Sequence, residues 1–258
     1  MNDLRAWLLA MLLVAWAWPA RAGTVVLDDT FDEVVIGKHL ELAYDPSGAL
    51  TLDDVLAGKL HFTPSTKSVP SFGYRGGAEW ARLTLEDRRA HPRERLVLEH
   101  GYAPTDLVEL TTVLADGSRT AARAGDHVAH DAWPIDARLA TFAVPEGTRE
   151  VYLRLESTAS HQLAFTLRPR EPWLRHAAMA NTVQALYYGA LAAMVVYNTM
   201  LWASVGLTLY GFYVGFLVSY GAISLQLAGY LFLCLWPRAP WLAYHAVFPL
   251  LAACGRVI

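Results

Sequence analysis

The chain has 258 residues, 54% of them hydrophobic and only 17% charged, with a formal net charge of -3. That balance excludes a nucleic-acid binder, which would carry a basic excess, and a disordered acidic chain, which would lack the apolar residues. The averages conceal a split, because no Asp, Glu, Lys or Arg occurs between Arg175 and Arg238, and an uncharged stretch of that length belongs in lipid. Setting aside that end and a short leader leaves about 150 residues, enough for one domain to bury its own core. Both cysteines, Cys234 and Cys254, lie in the apolar end, so the polar domain has no internal disulfide and depends on packing.

In chain order, residues 1–22 come first. Arg5 sits among polar residues, an apolar run AWLLAMLLVAWAW follows, and the segment closes with Pro19, Ala20, Arg21 and Ala22. The small-x-small ending and a run shorter than the roughly 20 residues of a bilayer span predict a cleaved secretory signal.

From residue 24 to about 170, short alternating segments bounded by turn residues predict strands. They fall at 79–86, 94–100, 106–114, 138–144, around Val151, Leu153 and Leu155, and around Leu163, Phe165 and Leu167. Asp116 and Gly117 signal a hairpin to a short partner strand, and Asp45, Pro46, Ser47 and Gly48 mark another turn. One helix is predicted at Thr51 to Ala57, with Thr51 as its cap and Asp53 and Asp54 at its positive dipole end. Many short strands with little helix predict an all-β sandwich covering residues 23–172.

The apolar end, residues 173–258, predicts about three spans, near 179–203, 207–230 and 240–256. Trp173, Trp202, Trp236 and Trp241 are expected in the headgroup layers, and Pro237 and Pro240 bracket Arg238 in a short connection. Amides in lipid face another helix, so Asn198, Gln184 and Gln226 are expected to serve helix packing, and Tyr187, Tyr188 and Tyr197 anchoring and packing. Arg168, Arg170 and Arg175 taken alone favour a cytoplasmic start to the first span. The export signal favours the opposite orientation and decides it: a multi-pass protein of the bacterial inner membrane, its β-domain periplasmic or extracellular.

Candidate sites are few. On the strand at 79–86, Ala81, Leu83 and Leu85 form the buried face, so Trp80 and Arg82 point together to the other side. An aromatic plane beside a guanidinium suits stacking on a ring while donating hydrogen bonds to hydroxyls or a carboxylate. Trp80 and Arg82 are therefore the ligand-binding candidates, with Tyr74 and Tyr102 extending the surface; the alternative for Trp80 is a place in the core of the second sheet or in a surface patch under a loop. Asp126, His127, His130 and Asp131 have the residue types of a transition-metal site, but solvated turn residues are the preferred reading and no metal is expected. No serine stands at a strand-to-helix elbow, and Gly73, Gly76 and Gly77 precede a strand rather than a helix, so neither nucleophilic catalysis nor phosphate binding is expected and the chain reads as no enzyme.

Several stretches carry a resemblance: ELAYDPSGALTLDDVLAGKLHFTP from 41, FGYRGGAEWARLTL from 72, VYLRLES from 151, LYYGALAAMVVYNTMLW from 186, LYGFYVGFLVSYG from 209 and LAGYLFLCLWP from 227. In this order they resemble the seven-transmembrane receptors with diverse intracellular signalling modules that carry the type 2 extracellular domain. The resemblance implies a jelly-roll-like sensor domain that binds carbohydrate or a similar small ligand and signals through helices to a kinase or diguanylate cyclase. It also implies partners: the small extracytoplasmic ligand, membrane lipid, and a second copy or a signalling protein, with no nucleic acid and no cofactor. The expectation is a receptor fragment truncated after about three helices; the alternative is a membrane-tethered scaffold or a remnant without output.

Overall fold

The computed structural model describes residues 23–89, 95–235, 237–239 and 245. The expected leader at 1–22 and, apart from His245, the expected third span at 240–256 lie outside the described residues, as do Trp236 and Trp241.

Among the described residues, eleven strands form two sheets. The larger contains β1 (Val25–Leu27), β3 (Glu41–Asp45), β4 (Thr63–Pro64), β5 (Ala78–Asp87), β7 (Leu107–Leu114), β8 (Arg119–Ala124) and β10 (Thr148–Glu156), in the order β4-β3-β5-β10-β7-β8. Its pairings are antiparallel except that β1 lies parallel to the end of β5. The smaller contains β2 (Val34–Val35), β6 (Leu96–His100), β9 (Thr141–Val144) and β11 (Phe165–Pro169), in the order β2-β11-β6-β9.

The period-two pattern explains the layering. Leu83, Leu110, Leu153 and Leu155 point inward from the large sheet and meet Leu98, Phe142, Phe165 and Leu167 from the small one, all fully buried in one cluster. Each contributes about 1.5–3 kcal/mol of hydrophobic stabilisation. The predicted strands therefore hold as a sandwich, with their ends moved by a few residues; the predicted 138–144 shortens to β9 because Arg138 and Leu139 belong to the preceding loop. β1 to β4 escaped prediction because three of them have only two or three residues and exist through their pairing.

Both outer faces are covered by helix. α1 (Leu52–Leu56) lies on the large sheet, where Val55 packs with Ala43, Trp80 and Tyr152. It starts as predicted at Thr51, whose hydroxyl accepts from the Asp54 backbone at 3.3 Å while the Asp54 carboxylate accepts from the Thr51 backbone at 3.0 Å.

α2 (Arg170–Val205) begins one residue after β11 and runs unbroken for 36 residues. The helix thus starts well before the span expected near 179. Pro172 is tolerated in a first turn, where backbone N–H groups have no intrahelical acceptor. At about 54 Å, α2 exceeds a hydrocarbon core of about 30 Å, and its first turns lie against the outer face of the small sheet. Trp173 is accordingly buried on the β-domain, its indole donating to Glu99 at 2.8 Å, rather than sitting in a headgroup layer.

Gly206, left-handed at φ 73°, ends α2, and α3 (Thr208–Leu227) returns antiparallel to it. Trp202 stacks close over Gly211 and Leu191 over Gly221; a Cβ at either glycine would lie 2.8 Å from the facing side chain. Both helices are long and apolar enough to cross a membrane. α3 stops at Leu227 rather than 230, because Gly229 turns the chain at φ 83° into the short α4 (Tyr230–Cys234). Asn198 is buried, and its side-chain amide donates to the Met194 carbonyl of its own helix at 2.8 Å.

Phe142→Ala should cost about 3–5 kcal/mol, since it empties the centre of the sandwich. Denaturant titration of the detergent-solubilised chain, followed by tryptophan fluorescence, checks this.

Candidate functional site

The alternation that buries Ala81 and Leu83 turns Trp80 and Arg82 to the outer face of the large sheet. Pairing with β10 sets Arg154 beside Trp80 and Tyr152 beside Arg82. There α1 and the turn before it form one wall of a cleft of about 490 Å³, lined by Leu52, Trp80, Glu109, Arg123, Tyr152 and Arg154 among others. Trp80 is only 3% exposed, so its ring is at once a wall of the cleft and part of the packing under α1.

The cleft is charged and ordered by its own contacts. Arg154 donates to Glu109 at 2.8 Å and to the Gly48 carbonyl at 2.6 Å, and also pairs with Glu156. Arg123, more exposed, reaches the other oxygen of Glu109 at 2.7 Å. Two buried donors, Trp80 Nε1 and Arg154 Nε, have no hydrogen-bond partner among the described residues. Burial, and then the neighbouring Glu150 carboxylate, pushes the Tyr152 hydroxyl above its ordinary range.

Arg82 does not line this cleft. It is paired with Glu41, and its guanidinium lies 5.1 Å from the Phe62 ring centre. Burial alone would lower its pKa, but the hydrogen bond and charge of Glu41 more than offset that and hold it raised.

Tyr74 and Tyr102 stand elsewhere. Tyr102 lines a separate cleft of about 330 Å³ with Gly101, Ala103, Pro104, Arg138 and Leu227, where the β-domain meets the helices. Burial first, then nearby Tyr74, raises its hydroxyl pKa. The four expected ligand residues thus fall in three places, Trp80 in the cleft, Arg82 against Glu41, and Tyr102 with Tyr74 near it elsewhere, and Arg154 is the basic partner of Trp80 that sequence reasoning missed. The signal was the alternation through 151–155, which places Tyr152 and Arg154 opposite the core. A wider cleft of about 720 Å³ at the far strand ends, around Glu86, Asp87 and Gly117, has no aromatic lining.

The four possible metal ligands are also divided. Asp126 and His127 come together with Asp106, their ligand atoms within 4.8 Å of one another. His130 instead packs between Trp133 and Phe232, and Asp131 bonds Arg238 at 3.1 Å. Asp106 lies far away in sequence, and the β7–β8 register, with Val108 opposite Ala124, brings it across. It accepts from the Thr158 backbone at 2.8 Å. Burial, and next the Asp106 carboxylate, pushes Asp126 up to about 8.

Two family models match the chain: the 7TMR-DISM extracellular 2 domain over residues 37–169, and the 7TM diverse intracellular signalling domain over residues 180–257. The first ends with β11 and the second starts inside α2, so the two matches meet near the point where sheet gives way to helix. No curated protein matches the chain.

Asp126 has a testable pH signature. With a folded pKa near 8 against an unfolded value of 3.8, the native state holds a proton that the unfolded state has released. Stability from this group is complete below about pH 4, falls as pH rises, and levels off above about pH 8, by roughly 1.4 kcal/mol per pH unit at most. Asp126→Asn should remove that slope and stabilise the protein at pH 8 relative to wild type, as read by urea midpoints between pH 4 and 9.

Proposed function

We propose, since the chain belongs to the seven-transmembrane receptors with diverse intracellular signalling modules, that its β-domain is an extracytoplasmic sensor for a small polar ligand, a carbohydrate being the best fit. The observation that carries this reading is the Trp80 cleft. An indole and a phenol supply apolar ring faces, two guanidiniums supply donors and Glu109 supplies an acceptor, all held on a rigid sheet. A pyranose has the matching pattern, with C–H faces that pack on aromatic rings and hydroxyls that both donate and accept. Nothing in this arrangement performs covalent chemistry, so the role is recognition, with Arg82, Tyr74 and Tyr102 outside the cleft.

The orientation follows the same reading. Arg168, one of three arginines that favour a cytoplasmic start, is bound to Glu33 and Glu99 and so counts little as a free positive charge at the membrane. The domain lies outside, and the α2–α3 turn faces the cytoplasm.

Thermal-shift screening of the full chain in nanodiscs against mono- and oligosaccharides tests the sensor reading. A ligand at one hundred times its dissociation constant adds about 2.7 kcal/mol and raises the midpoint by on the order of 5 °C or more. Trp80→Phe with Arg123→Ala, which keeps the packing under α1, should abolish the shift; a shift that survives this pair places the ligand elsewhere. Protease added to intact spheroplasts should digest the β-domain, and full protection would reverse the orientation.

A further inference from the structure

The β-domain holds the helices at two places. The first is the covalent passage into α2, where Glu99 accepts from Arg168 at 3.1 Å and from Trp173 at 2.8 Å, and the Arg170 backbone donates to the Arg95 carbonyl at 2.8 Å. The second is not covalent. Arg138 donates to the Ala228 carbonyl at 2.6 Å, and its guanidinium lies 5.2 Å from the Tyr230 ring centre. Phe232 fits against His130 and Trp133, with ring centres 5.9 and 5.8 Å away. The His130 backbone donates to the Pro237 carbonyl at 2.8 Å, and Arg238 bonds Asp131 at 3.1 Å.

These contacts have a common physical basis. Ala228 caps α3, and helix ends leave carbonyls without intrahelical donors, a deficit that grows costly near lipid. A cation is also favoured at a helix C-terminus. Arg138 meets both needs from the β-domain side. The loop that carries it is braced internally: Trp133 Nε1 donates to the Val128 carbonyl at 3.1 Å, and His130 Nε2 donates to the Ala137 carbonyl at 3.0 Å. Gly229 fits against this loop because a Cβ there would lie 3.0 Å from the Arg138 carbonyl oxygen.

We propose that loop 127–139 is the transmission element of the receptor, gripping the end of α3 through Arg138 and the His130–Trp133 slot, so that the domain moves α3 relative to α2. A domain fixed only to α2 could tilt that helix; one that holds two antiparallel helices at the same end can slide one past the other. The path to the cleft is short. Arg123 and Ala121 of β8 line it, β8 is an edge strand paired only with β7, and the loop begins four residues after Arg123. The grip stands on the contacts themselves, whereas its role in signalling rests on the sensor reading above.

Hydrogen exchange on the full chain in nanodiscs tests this without any ligand. Arg138→Ala and Phe232→Ala should each speed exchange of the His130 amide and of residues 228–235 by about tenfold or more, with β5 and β10 unchanged as the folding control. Ala121→Trp, which fills the cleft, should alter exchange in the same segments, while Arg119→Ala on the same strand, outside the cleft, should not. Unchanged exchange in both grip variants would overturn the grip. Altered exchange in those two but not in Ala121→Trp would overturn its link to the cleft. A failed saccharide screen changes none of these readouts, so the two readings fail separately.

Discussion

The architecture depends on one carboxylate. Glu99 lies on the outer face of the small sheet and receives both the Arg168 guanidinium, from the last strand, and the Trp173 indole, from the first turn of α2. With no residue between strand and helix, the angle at which α2 leaves the sheet is set by contacts at the junction itself, these side-chain bonds together with the Arg170 backbone bond to the Arg95 carbonyl. A buried charge with one partner removed is costly, commonly by several kcal/mol, so this pair of bonds favours a single exit direction. Arg168 also donates to Glu33 beside β2, tying the edge of the small sheet into the same network.

That fixed exit gives the first turns of α2 their role. They cover one outer face of the sandwich as α1 covers the other, and only beyond them does the helix have the composition of a membrane span. The β-domain and the membrane part are therefore not joined by a flexible tether. The domain contacts α2 along its first turns and α3 at its end, and a displacement within the sheets has a rigid route to the bilayer.

On the outer face of the large sheet, the same residues serve the packing under α1 and the wall of the cleft. Trp80 and Tyr152 pack under α1, yet they also wall the cleft. Buried polar atoms without a partner among the described residues, Trp80 Nε1 and Arg154 Nε here and atoms of His39, His100 and Asp126 elsewhere in the domain, cost stability.

The sequence alone determined the partition into sheet and helix, the faces of the long strands, the capped helix at Thr51 and the sides of β5 that Trp80 and Arg82 occupy. Each of these follows from local periodicity or from a side chain reaching its own backbone. It did not determine which residues meet. Arg154 rather than Arg82 joins Trp80 in the cleft, Asp106 rather than His130 joins Asp126, and Trp173 turns from the membrane to the sheet. Those pairings are set by strand register, by the order β10-β7-β8 and by the uninterrupted passage into α2, and register is a long-range choice made when two sheets close over one core.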